Sequence, residues 1–297
     1  MQQVITLMAA GDGELDAARI AAVGSGLTDA GAKLGDRVWL AAGKACDLFY
    51  TGLTAEQAEA AARQAAPEAA IDLGAQPAAG RRKALLVADM ESTIIAEELL
   101  DELGRLAGHG EQIKAITERA MRGEIDFAQS LRNRVKLLAG FPALMIEEVG
   151  RRITLNPGAR ELVQTMRRHG GTTILVSGGF DCFAARVAEA CGFDSFQANH
   201  LEIEGERIAG RVREPVLDRG AKLSVLREAA SRLKVPLTAT AAIGDGANDL
   251  PMLQAAGLGV AFRGKPVVAA VARFRLDHCD LTGMLYLQGY RKDAFST

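Results

Sequence analysis

Residues 84–93 read ALLVADMEST: five apolar residues run directly into Asp89, Met90, Glu91, Ser92 and Thr93. A short, wholly apolar run suits a parallel strand covered on both faces. The pattern recurs along the chain. Thr173–Val176 (TILV) precedes Ser177-Gly178-Gly179-Phe180, Thr240–Ile243 (TAAI) precedes Gly244-Asp245-Gly246, and Leu258–Phe262 (LGVAF) is a fourth run. Helical stretches fall at about 159–169, 180–191, 219–233 and 247–256. This alternation predicts an α/β domain built on a doubly wound parallel sheet. Ligands of such sheets bind beyond the carboxyl ends of the strands, so the polar residues after each run are the candidates for chemistry.

Outward from that core the texture changes. Residues from about 96 to 153 are helical and charged with no good strand, which predicts a helical cap inserted after the first strand. Residues 199–212 alternate apolar and polar around Glu204-Gly205-Glu206 and predict a β-hairpin. Upstream, strands are expected at 3–8, 37–41, 46–50 and 69–73, and helices at 14–30 and 54–65, the second opened by a Thr54/Gln57 capping box. The order β-α-β-β-α-β fits a small ferredoxin-like domain over residues 1–75. Gly74–Lys83 (GAQPAAGRRK) reads as a linker, 76–83 lying between the domains, and the larger domain as 84–297.

Composition sets limits on function. The 297 residues carry 35 basic and 37 acidic side chains, a net charge of -2, which disfavours a phosphate-backbone binder. No run approaches the roughly 18 apolar residues of a membrane span. The N-terminus lacks the basic segment of a signal peptide, so a cytoplasmic location is expected. Four cysteines and four histidines are scattered without metal-ligand spacing, which argues against zinc.

Four clusters carry chemistry. Asp89 and Glu91 follow a buried strand at i, i+2, the types needed for a nucleophile and a general acid in phosphoryl transfer. Ser177 and Gly178 offer a hydroxyl and a bare backbone amide at a strand-to-helix junction, where phosphate oxygens bind. Lys222 opens the 219–233 helix and can offset phosphate charge. Gly244-Asp245-Gly246-Ala247-Asn248-Asp249 supplies two carboxylates on a sharp loop, and hard oxygen ligands suit Mg²⁺.

These motifs in this order resemble the haloacid dehalogenase-like phosphatases, and most closely the branch acting on O-phospho-L-serine at the last step of serine biosynthesis. The likeness covers about residues 84–290. It implies Asp89 as nucleophile and Mg²⁺ ligand, and Glu91 as general acid/base with its backbone carbonyl on the metal. Ser177, Gly178, Lys222 and Asn248 would bind phosphate, Asp245 would ligate Mg²⁺, and Asp249 would steady the metal's water and Lys222. On the cap, Glu98 and Arg134 would hold the substrate ammonium and carboxylate, with Met121 and Phe127 covering it. The charge types fit, since a guanidinium takes a carboxylate bidentately. The N-terminal domain resembles the small-ligand-binding ACT-like domain of some bacterial members, where a regulatory amino acid could bind.

One position departs from the family pattern. The second acid is usually Asp, and here it is Glu91. The extra methylene displaces the acid by roughly a C–C bond length, and a misplacement near 1 Å costs on the order of 10²-fold in rate unless the backbone adjusts. Two further readings stay open. The phosphoryl group could pass to another alcohol such as homoserine, or come from another small phosphomonoester; or the chain could be a non-catalytic ligand-binding protein. The oligomeric state is open too, a homodimer included.

Overall fold

The computed structural model describes residues 1–297 except 68, 69, 123, 218 and 219, and at Met121 it describes the backbone alone. The N-terminal region comprises β1 (Gln3–Ala9), α1 (Ala17–Asp29), β2 (Lys33–Ala41), β3 (Ala45–Thr51), α2 (Ala55–Ala65) and β4 (Ile71–Pro77). Its strands pair antiparallel in the order β2-β3-β1-β4, the ferredoxin-like arrangement expected from the element order. α1 starts three residues later than the expected 14, because the Asp16 side chain accepts the Arg19 N–H at 2.7 Å and caps the helix there. The Thr54/Gln57 capping box forms on α2.

The segment expected to be linker is partly strand. β4 runs through Gly74-Ala75-Gln76-Pro77, paired with β1 from Ile71 to Pro77. Ala69, where the expected strand began, lies outside the described residues. Composition suggested a loop, but β1 offers a partner along its whole length, and Pro77 is tolerated at the end of an edge strand. Gly74 is there for close approach: a Cβ would lie 2.7 Å from Phe274 and 2.8 Å from Leu287 of the larger domain. Beside it, the buried Asp72 carboxylate accepts the N–H groups of Asp277 (2.9 Å), His278 (3.1 Å) and Cys279 (2.8 Å). An Arg81–Asp47 ion pair at 2.6 Å ties the connecting segment down.

The larger domain begins with β5 (Leu85–Asp89) and passes into α3 (Leu99–Leu106), α4 (Gly110–Met121), α5 (Phe127–Lys136) and α6 (Leu144–Gly150). It continues as α7 (Ala159–Arg168), β6 (Thr172–Phe180), α8 (Asp181–Cys191), β7 (Ser195–Asn199), β8 (Leu201–Glu204), β9 (Arg207–Val212) and α9 (Ala221–Leu233). It closes with β10 (Thr240–Gly244), α10 (Leu250–Ala255), β11 (Leu258–Phe262), α11 (Pro266–Ala269), β12 (Phe274–Leu276) and α12 (Gly283–Leu287).

Six strands pair parallel in the order β12-β11-β10-β5-β6-β7. Alternate residues of β5 serve opposite layers. Leu85 and Val87 pack with Val225 and Leu226 of α9 and Met252 of α10. Leu86 and Ala88 pack with Leu162 and Val163 of α7 and Phe183 of α8. Two strands were not legible in the sequence. β7 is largely exposed and β12 has three residues, so neither makes an apolar run. β6 runs on through Ser177-Gly178-Gly179-Phe180, and α8 starts directly after it. α10 starts at Leu250 rather than 247, because Pro251 lacks the N–H that a longer helix would need there. The expected first residue of α9, Arg219, lies outside the described residues.

β5 sits between β6 and β10, so the chain winds outward in both directions from this point and leaves a crevice at the carboxyl ends of β5 and β10. α3 to α6 form the inserted cap. The β8–β9 hairpin completes it through backbone bonds from Gly140 N–H to Ile208 O and from Ile208 N–H to Phe141 O. Sequence pattern found the hairpin but not its place on the cap. Among the described residues no helix is long and apolar enough to cross a membrane.

Candidate active site

The end of β5 sets the geometry. After Asp89 the backbone makes one wide turn, closed by the Ile95 N–H on the Met90 carbonyl at 2.9 Å. Within it Glu91 is extended and Ser92 is left-handed at φ 55°. A non-glycine residue pays a strain of about 1–3 kcal/mol there, which persists only where the surroundings hold it. Asp89 is buried, and its Oδ1 accepts the Met90 N–H at 2.8 Å and meets Lys222 Nζ at 2.6 Å. Lys222, in the first turn of α9, also meets Asp249 Oδ1 at 2.5 Å. The other Asp249 oxygen accepts the Gly246 N–H at 2.9 Å.

Asp89, Asp245 and Asp249 are all buried and bring one carboxylate oxygen each to within 4.8 Å of one another. Among the described residues, Lys222 and Lys265 are the two ammonium groups in contact with them. Three carboxylates against two ammonium groups leave excess negative charge in a buried cluster of oxygen donors. That donor set fits a hard divalent cation such as Mg²⁺.

The electrostatics follow from this crowding. Burial, and then the Asp249 charge, push the Asp89 carboxyl well above its usual range, against the pull of Lys222. Burial disfavours the charge on Lys222, but Asp89 and Asp249 outweigh it and hold the ammonium above its normal value. Glu91 is raised to about 7, by burial first and the Glu98 charge second. The Leu99 N–H, Arg134 and Lys222 oppose that rise. A carboxyl near 7 can give and take a proton at neutral pH.

Glu91 departs from the family pattern, and its longer side chain has a definite seat. Oε1 accepts the Leu99 N–H at 2.8 Å, at the start of α3. Glu98, the nominal cap residue of that helix, makes no such bond; its Oε1 instead accepts the Ser92 hydroxyl at 2.8 Å. Gly179 leaves the room, since a Cβ there would lie 2.9 Å from Glu91 Oε2.

Residues of the second, third and fourth clusters come together. Phe127, Ser177, Gly178, Lys222 and Asn248 line one small cavity, with Val176, Leu217 and Ala221. Ser177 Oγ accepts the Gly179 N–H at 2.8 Å. Asn199 braces this loop, donating to the Gly178 carbonyl and accepting the Leu217 N–H, both at 2.8 Å. Phe127 of the cap rests directly on Gly178, where a Cβ would come within 2.8 Å of the ring.

The cap residues divide. Glu98 is exposed at the rim, just before α3, while Arg134 on α5 is half-buried. Arg134 has only marginal partners, the Ser130 carbonyl at 3.4 Å and the Thr117 hydroxyl at 3.5 Å. Its charge nonetheless acts on Glu91, and it feels Asp101, Glu91 and Glu98. The side chain of Met121 lies outside the described residues. Sequence reading missed Asn199 and Lys265. Lys265 meets Asp245 Oδ2 at 3.0 Å just beyond β11, and the rule that drew attention to strand ends would have found it.

Residues 86–254 match the haloacid dehalogenase-like hydrolase family. The chain belongs to that family. A phosphoserine phosphatase from Streptomyces coelicolor is 39% identical over 94% of this chain and 69% of its own length. The fold of the whole hydrolase resembles a haloacid dehalogenase family hydrolase from Salmonella enterica serovar Typhi, with a TM-score of 0.83, 29% identity, and coverage of 98% of this chain and 99% of that one. A phosphoserine phosphatase solved as a phospho-aspartyl intermediate analogue gives a TM-score of 0.64 at 38% identity, over 69% of this hydrolase and 98% of that chain.

Proposed function

We propose that the chain is a Mg²⁺-dependent phosphatase that hydrolyses O-phospho-L-serine to serine and phosphate. The observation that carries the reading is the meeting, in one crevice, of a buried Asp89–Lys222–Asp249 cluster with an uncommitted Arg134 and a Glu91 poised near pH 7. The similarity to phosphoserine phosphatases supports it.

Asp89 attacks phosphorus and the Asp89–phosphate bond forms as the seryl oxygen departs. Glu91 delivers its proton to that oxygen, then takes one from the water that opens the aspartyl phosphate. Ser177, the backbone at Gly178, Lys222 and Asn248 hold the phosphate oxygens. Asp89, Asp245 and the Glu91 carbonyl would hold Mg²⁺, with Asp249 steadying its water and Lys222. Such an ion supplies charge neutralisation at the phosphoryl group. Arg134 takes the substrate carboxylate and Glu98 its ammonium, while Phe127 keeps bulk water away.

The test is phosphate release from a panel of phosphomonoesters, with Mg²⁺ and with chelator, beside Asp89→Asn. Preference for phosphoserine, lost with chelator and in the variant, is the expected result. Release that survives chelation, or equal turnover of compounds without the amino-acid group, refutes it. A serine biosynthetic role and a cytoplasmic setting belong to the same proposal.

A further inference from the structure

The turn carrying Glu91 has three consecutive backbone carbonyls, at Thr93, Ile94 and Ile95, on residues with no solvent exposure. One residue donates to all three. Asn156 Nδ2 reaches Thr93 O at 2.7 Å and Ile95 O at 3.1 Å, and its backbone N–H reaches Ile94 O at 2.9 Å. A side-chain amide has two hydrogens, one for each carbonyl. Buried carbonyls without a partner are costly, so these bonds hold the turn in its strained shape.

Asn156 also lies on the segment that returns from the cap. That segment runs beside the outgoing one: Ile95 bridges Leu155, Ala96 N–H donates to Thr154 O at 3.1 Å, and the Glu97 carboxylate accepts the Thr154 N–H at 3.0 Å. From behind, the Pro157 carbonyl accepts the Leu281 N–H at 3.0 Å. Pro157 restricts Asn156 itself to extended backbone.

We propose that Asn156 is a positioning residue that locks the Glu91 turn to the segment returning from the cap, fixing the placement of the acid. The inference deepens the proposed function and rests on its reading of Glu91. The isosteric carboxylate of Asn156→Asp has no hydrogen to give and sets negative charge against two carbonyls. Asn156→Ser keeps one donor and is the milder change.

The experiment compares kcat/KM for phosphoserine, whose alkoxide leaving group needs a proton, with p-nitrophenyl phosphate, whose leaving group does not. Glu91→Gln sets the benchmark, with thermal melts on every variant. A displaced acid makes Asn156→Asp lose about tenfold or more on phosphoserine and little on p-nitrophenyl phosphate. The phosphoserine KM stays near its original value, and Asn156→Ser falls between. Equal losses on both substrates, or no loss in a folded variant, overturn the proposal and leave a purely structural asparagine. If Glu91→Gln itself loses equally on both, the acid–base reading fails first, and the inference falls with it.

Discussion

Arg134→Ala is the sharpest probe of substrate recognition, because the guanidinium makes only marginal contacts within the protein. Its two contacts within the protein stand at 3.4 and 3.5 Å, and no carboxylate lies within ion-pair distance of it among the described residues. Truncation therefore costs little stability, and the midpoint of thermal unfolding should move by only a few degrees. A charge-assisted hydrogen bond is worth about 1.5–3 kcal/mol, and each 1.36 kcal/mol is tenfold in rate. The loss in kcat/KM on phosphoserine should be roughly 10- to 150-fold. On p-nitrophenyl phosphate, which has no carboxylate, it should be within a factor of about three. Arg134→Lys separates charge from shape. It keeps the field felt by Glu91 but loses the planar fork, so an intermediate loss is expected. Steady-state assays of both substrates on the three proteins decide the matter. Equal losses on both substrates would refute the assignment, since Arg134 would then act on the phosphoryl chemistry or on cap packing.

Three other outcomes are expected. Asp89→Asn should lower phosphate release at least a thousandfold, and no phosphate should stay on the protein after acid quench; substantial turnover would remove Asp89 as nucleophile. In metal-free protein, a Glu91 carboxyl held at about 7 binds a proton that the unfolded chain releases near 4.5, so its contribution to stability falls as pH rises through that window. Glu91→Gln should then be about 1–3 kcal/mol more stable than the parent at pH 8 and no more stable below pH 5, as read by denaturant melts with chelator; an equal gain at both pH values would contradict the raised carboxyl. Asp72→Ala orphans the N–H groups of 277–279 and should lower the unfolding midpoint by roughly 6–12 °C. An unchanged melt would mean that the contact between the two domains carries little stability.

The buried strands were legible because ALLVA, TILV, TAAI and LGVAF are apolar on both faces, and only a covered parallel strand requires that. β7 and β12 were not, because an edge strand keeps one side wet and needs no such run. The candidate site residues were legible where polar groups follow an apolar run, as at Asp89, Ser177 and Asp245. Asn156 and Asn199 were not, because a polar residue bracing backbone carbonyls carries no local pattern. Gly74–Pro77 was misplaced for a related reason: its composition is that of a loop, and only the presence of β1 alongside makes it a strand.

Sequence alone determined which residues are available for chemistry and the order in which strands and helices alternate, because both depend on residue type and local periodicity. Tertiary structure decided the rest. The protonation of Glu91 depends on burial and on Glu98, seven residues away. The excess negative charge of the metal-type cluster depends on Asp89, Asp245 and Asp249 meeting across the sheet's switch point. The seat of the longer acid depends on the Leu99 N–H and the space at Gly179. Each is a property of charges and dipoles brought together by the folded chain, where loss of water sets the energy, and no local pattern records it.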